Sequence, residues 1–159
     1  MPTINDDQFS AFLRTHLGPE SDPEHHEDVP DTVPAHVFRV VSDEDYRQSM
    51  ERGYMRSDER NNWQAQQARG DTPAGLGELP AEGTVAGRWV EPGYFPEKAP
   101  GRVVKFDTSA HPEWEVHPEV GGEYIRTHGR IPMSSAVAVT PPITLHRGQS
   151  WTYRIGEDR

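Results

Sequence analysis

The segment HVFRVVSDEDYRQSMERGY, residues 36–54, sets the fold class. Its first seven residues read as a strand, with Val37, Arg39 and Val41 on one face and Phe38 and Val40 on the other. Ser42 comes next as a helix N-cap, with Asp45 at the capping-box position. The spacing predicts a helix from about Asp43 to Arg52, with Tyr46 and Met50 four apart on one face. Gly53 stands at the C′ position, where a left-handed residue ends a helix without a Cβ clash.

Downstream of this unit the chain reads as β structure. Residues 54–83 are irregular: Asn61 to Ala68 suggest a short helix, and GDTPAGLGELPAEG is a long loop. Strands are expected over Thr84 to Val90, Arg102 to Asp107, Trp114 to Val116, Tyr124 to Arg126 and Ser135 to Val139. Pro141-Pro142 stop the last of these. Ile143 to Arg147 and Ser150 to Ile155 flank Gly148-Gln149, which reads as a two-residue hairpin turn. The expected class is α+β, mostly β, with one or two short helices.

Upstream, residues 1–35 differ in composition. They hold eight acidic residues and one basic residue, so most of the chain's formal charge of -10 belongs to them. Asp6 to Leu17 place Phe9, Phe12, Leu13 and Leu17 near helical spacing, and Gly18-Pro19 stop that helix. Residues 18–35 are rich in proline and acid and predict little burial. The organisation expected is therefore an acidic, Pro-rich, largely unstructured arm over 1–35, able to dock on a protein partner, and an α+β domain over 36–159.

The whole chain has 159 residues, 33% of them hydrophobic, and no cysteine. That excludes disulfides, a thiol nucleophile and a cysteine zinc site. Acidity argues against generic binding of a phosphate backbone but not against one nucleotide in a local cleft. No apolar run is long enough for a membrane span, and MPTINDDQFS lacks the regions of a signal peptide. A cytoplasmic or virion-associated protein, with no membrane partner, is expected.

Few constellations carry chemistry. His25-His26 beside Glu27-Asp28 read as a solvated tail rather than a metal site. His111, Glu113, Glu115 and His117 alternate in HPEWEVH, but residues six apart on a strand stand roughly 20 Å apart, too far to share one ion. Trp63, Trp89, Trp114 and Trp151 read as packing residues. There is no Walker loop, no dinucleotide-binding glycine fingerprint and no nucleophile elbow. Arg39 is more informative. A charge in the middle of an apolar strand needs a partner if buried. Glu123 or Asp107 would serve structurally; a ligand phosphate would suit the guanidinium fork equally well.

The order of pieces resembles the ADP-ribosyltransferase fold. Val37 to Tyr54 match its opening strand, helix and Gly-Tyr. The aromatic pair Tyr94-Phe95 precedes a strand. Gly122-Glu123-Tyr124-Ile125, with Ile131-Pro132 and a Val-rich strand after it, resembles that family's catalytic-glutamate strand and final strand. The DNA-targeting ADP-ribosyltransferase toxins and the small transferase-like proteins of phages and prophages are the nearest in pattern, over about residues 36–140. The resemblance implies a split sheet and NAD as co-substrate. It also implies a catalytic Glu123, Arg39 on the NAD ribose or phosphate, and Tyr94, with Phe95 beside it, against nicotinamide. The macromolecular acceptor, protein or nucleic acid, is left open. The chain departs from the pattern in lacking a Ser-Thr-Ser motif, in having Gly121 two residues before Glu123, and in having Arg rather than His on the first strand. The alternative expectation is a non-enzymatic, phage-type assembly or accessory protein that keeps the fold.

Overall fold

The computed structural model describes residues 3–22, 32–56, 84–91, 95, 99–109, 113–116, 124–127, 129–148 and 151–156. In chain order the strands and helices are β1 (Thr3–Ile4), α1 (Asp6–Leu17), β2 (His36–Ser42), α2 (Asp43–Arg52), β3 (Tyr54–Met55), β4 (Thr84–Gly87) and β5 (Gly101–Asp107). They continue with β6 (Glu115–Val116), β7 (Tyr124–Thr127), β8 (Ile131–Pro132), β9 (Ala136–Val139), β10 (Ile143–Arg147) and β11 (Trp151–Ile155). The class is α+β, mostly β, as expected. Among the described residues, no helix is long and apolar enough to cross a membrane.

The main sheet is antiparallel, in the order β1-β11-β10-β5-β2-β4-β7-β6. Its spine is β2 against β5, paired without a slip from His36↔Asp107 to Ser42↔Gly101. Both strands are Val-rich and buried on two faces, which suits β-branched side chains at the centre of a sheet. The other edge of β5 is lined first by β9 and then by β10, as Val104↔Val139 and Gly101↔Ile143 show. Between them Pro141-Pro142 have no N–H to offer the ladder. Thr140 bridges the gap: its N–H donates to the Val103 carbonyl, and its Oγ1 accepts from the Val103 N–H, both at 3.0 Å. A second, two-stranded sheet pairs β3 with β8. The β10–β11 hairpin pairs Arg147 with Trp151, a register that does not fit the two-residue turn expected.

The opening unit forms as its residues dictate. Ser42 Oγ accepts from the Asp45 N–H at 3.0 Å, and Gly53 takes φ 89°, ψ 0° with its N–H on the Ser49 carbonyl. One expectation fails. Tyr46 packs inward, but Met50 is 53% exposed and Ser49 is buried in its place. The buried stripe takes the i, i+3 direction from Tyr46, so the position four residues on turns outward.

The N-terminal segment also differs from the arm expected. Residues 3–22 belong to the body. Thr3 and Ile4 pair with β11, which makes β1 the edge of the main sheet. A complete capping box starts α1: the Gln8 N–H donates to Asn5 Oδ1 at 2.9 Å, and the Asn5 N–H donates to Gln8 Oε1 at 3.0 Å. Asp6 and Asp7 in the first turn and Arg14 and His16 in the last suit the helix dipole. Phe9, Leu13 and Leu17, each four apart, are buried. Net acidity misleads here, because charges on the outer face of a helix do not prevent its apolar stripe from docking. The stretch with His25-His26 lies outside the described residues, as do Asn61 to Ala68, where a helix was expected, and the GDTPAGLGELPAEG stretch.

Strand alternation then separates two cores. On one side Phe38 and Val103 face α1, with Val90, Phe95, Ile143, Leu145 and Tyr153. On the other, Val37, Val41, Val104 and Phe106 pack with Met55, Ala86, Ile125, Ile131 and Met133. Tyr46 of α2 packs against this second cluster.

Candidate functional site

Arg39 stands at the centre of β2, paired with Val104. It shares the face of Val37 and Val41, so it enters the second core, and it is 6% exposed. The pairs Phe38↔Gly87 and Ala86↔Ile125 run Val104, Arg39, Ala86 and Ile125 as one row across four strands. Val104 and Ala86 thus flank Arg39 directly, with Ile125 one strand further. A buried guanidinium in such a setting interacts strongly with an anion, because water competes little for it.

The structure resolves one of the two structural partners weighed for Arg39. Asp107 lies opposite His36 on the other face of the sheet. Its Oδ1 accepts from the Ser109 N–H at 2.9 Å and from the Ser109 hydroxyl at 2.7 Å. Those two bonds, more than the nearby His36, hold its carboxyl below the usual carboxylate range. Asp107 is therefore engaged elsewhere. Glu123 and Tyr94 lie outside the described residues.

Phe95 is described, and it is a core residue. Its ring stands edge-on to Phe9 at 5.6 Å and to Tyr153 at 6.4 Å between centroids. It packs in the α1-facing core, whereas Arg39 belongs to the opposite one. The structure does not bring these two together, and the nicotinamide contact expected for Phe95 gives way to packing. The reason is the docking of α1, which the acidic composition of the N-terminus hid: α1 supplies Phe9, and Phe9 takes Phe95.

Arg102 accompanies Arg39 on the second face without having been singled out. Its Nε donates to Asp43 Oδ1 at 2.6 Å and its Nη1 to the Thr140 carbonyl at 3.0 Å. Its guanidinium lies 5.0 Å from the centre of the Tyr46 ring. The signal was available: in RVVKFD, Arg102 alternates with Val104 and Phe106, so one face of that strand also mixes a charge with apolar residues. Arg102 fastens the start of α2 to the sheet, and so holds the helix over the face that carries Arg39. A third buried arginine, Arg88, donates from Nη2 to the Thr32 carbonyl at 2.6 Å, and burial lowers its pKa.

The alternating His/Glu stretch offers no metal set among the described residues. Glu115 pairs with Arg126 Nε at 2.6 Å across β6 and β7, while His111 and His117 lie outside the description. Three tryptophans are described. Trp89 is buried and donates from Nε1 to Glu91 at 3.0 Å; Trp114 packs on the second core, and Trp151 on the first.

Comparison with protein-family models, with curated proteins and with solved structures finds no match to this chain.

Proposed function

We propose that this chain is an ADP-ribosyltransferase-like protein that cleaves the nicotinamide–ribose bond of NAD. The observation that carries this reading is Arg39: a buried arginine, centred on the first long strand between Val104 and Ala86, on the face that α2 covers. A guanidinium fork there suits a phosphate, since charge-assisted bonds are strong where water competes little. The strand, Ser42 cap, α2 and Gly53-Tyr54 order supports the same reading.

In this proposal Arg39 holds the pyrophosphate of NAD, Tyr94 stands against the nicotinamide, and Glu123 is the catalytic carboxylate. The C1′–N bond breaks and its electron pair leaves with nicotinamide. A lone pair of the acceptor forms the new bond at C1′, and the acceptor's proton passes to solvent. Positive charge develops on the ribose between these events, as in glycoside hydrolysis. A fixed carboxylate on a ribose hydroxyl stabilises that charge in the transition state. With water as acceptor the product is ADP-ribose.

The test pairs turnover with unfolding. Wild type should release nicotinamide from NAD, and NAD should raise its Tm. Glu123→Gln should lower turnover by about a hundredfold, the order of losing one positioned electrostatic group. Its denaturant midpoint should stay in place. Arg39→Lys, which keeps the charge but loses the fork, should abolish the thermal shift. A wild type with no turnover and no Tm shift at millimolar NAD overturns the reading in favour of a non-catalytic accessory protein. A collapse of the Glu123→Gln midpoint assigns that carboxylate a structural task instead.

A further inference from the structure

Among the described residues the main sheet ends in three edges, and they are not alike. β1 and β6 have two residues each, and β6 carries Glu115, paired with Arg126. Short edges and charges of this kind keep a sheet from pairing with another chain. The third edge, β9, has four residues, Ala136 to Val139, and pairs with β5 alone. No Asp, Glu, Lys or Arg occurs from Ile131 to Leu145, inside the longest run without these residues in a chain of formal charge -10.

Both faces of β9 are engaged. Ala138 packs on the first core, and Ala136 and Val139 pack on the second. Val137 is the exception. The register slips between Lys105 and Phe106, which makes Val137 the extra residue of a bulge, and it is 54% exposed. A bulge at a sheet edge re-aims a side chain. Here it presents a valine to solvent where a protected edge presents a charge. Beyond β9 no described strand takes the outer N–H and C=O groups.

Two features select a second copy of this chain as the missing strand. The first is charge. Copies of a protein with formal charge -10 repel one another, and an uncharged strand lets them meet with no like charges opposed within it. The second is self-complementarity. A two-fold axis between Val137 and Ala138 pairs two β9 strands antiparallel, with Val137 opposite Ala138 and Ala136 opposite Val139. Each valine then faces an alanine, large against small, across the pair.

We propose that β9 is a self-association edge, at which two copies join their main sheets by antiparallel β9–β9 pairing about a two-fold axis. With four residues a side the contact is small, so the dimer is weak and forms with rising concentration. It stands whether or not the chain cleaves NAD.

The test is sedimentation velocity of the full chain over a wide concentration range. Wild type should pass from monomer to dimer as concentration rises. Added salt should keep or tighten the dimer, because net repulsion is screened and no ion pair within β9 holds it. Val137→Lys sets two like charges beside the axis and should raise the dimer Kd at least about tenfold. Val137 is exposed, so this variant should keep the fold, which circular dichroism checks. Val85→Lys, at another exposed valine, should leave the Kd unchanged. Since the chain has no cysteine, Val137→Cys supplies a single thiol. It should give a disulfide-linked dimer under mild oxidation, and Val85→Cys should not. That cross-link decides the matter if Val137→Lys fails to fold. A wild type that stays monomeric at every concentration overturns the proposal and leaves the edge to a strand of a different protein. A dimer that dissociates in salt, or that is equally tight in folded Val137→Lys, overturns it too.

Discussion

The two faces of the main sheet are built from the same two strands yet solve different problems. The α1 side is aromatic: Phe9 stacks on Tyr153 with centroids 3.8 Å apart, and Phe95 closes the group edge-on. Burial pushes the Tyr153 phenol above its ordinary value, so the ring stays neutral at any ordinary pH. The α2 side has Val37, Val41, Val104 and Phe106, but it also buries Arg39 and Arg102. One face is settled by apolar area; the other keeps charge that must be matched. Stability should therefore depend mainly on the first face, and anion chemistry on the second.

The largest effect should come from the aromatic side. Phe9→Ala removes the ring that both Tyr153 and Phe95 contact, and should cost about 3–5 kcal/mol. The measurement is urea unfolding, with m unchanged and the midpoint shifted. A cost below about 1 kcal/mol, far under the usual range for a buried ring, would mean that α1 merely rests on the body. The contrast between the faces would then vanish.

A smaller loss is expected on the charged side. Asp43→Asn leaves the Arg102 guanidinium with the Thr140 carbonyl and the Tyr46 ring but without that carboxylate. It should cost about 2–3 kcal/mol, the range for a part-buried bond between charged groups. A double-mutant cycle with Arg102→Met isolates the pair. If the coupling is near zero, charge on this face is not structural, and its retention points more strongly to a ligand.

The smallest effect concerns the exposed end of β5. Asp107 has a carboxyl pKa lowered mainly by Ser109. A depressed folded-state pKa contributes stability above the unfolded value, and that contribution is lost as pH falls through the folded value. Ser109→Ala should return the Asp107 carboxyl towards its ordinary range, read by carbon NMR titration. It should also flatten stability between neutral and acid pH slightly. An unchanged titration would put the cause in His36 rather than in the hydroxyl.

Legibility in the sequence tracked the range of the forces involved. The strand, cap, helix and glycine stop of 36–54 were readable because each depends on neighbours a few residues away. So were the helix of residues 6–17 and most of the strands, since period and turn chemistry are local. The docking of α1 was not readable, although its stripe of Phe9, Leu13 and Leu17 was, because an acidic, proline-rich neighbourhood pointed the other way. Phe95 illustrates the same limit from the site's side. Its place next to Tyr94 suggested a ligand contact, but its ring meets Phe9, which stands on a distant N-terminal segment of the chain.

Arg39 marks the division within one residue. Its charge in an apolar strand, and the face it takes, come from strand alternation alone. That Val104 and Ala86 flank it, and that Asp107 is turned to the opposite face and bound to Ser109, required the pairing of β2 with β5 and β4. The open edge at β9 is more distant still, since it exists only through the pairing of that strand with β5. Periodicity and capping are encoded by residues in one turn or one strand. Which strands become neighbours, and so which charges meet, is set by long-range packing and by which apolar faces find each other.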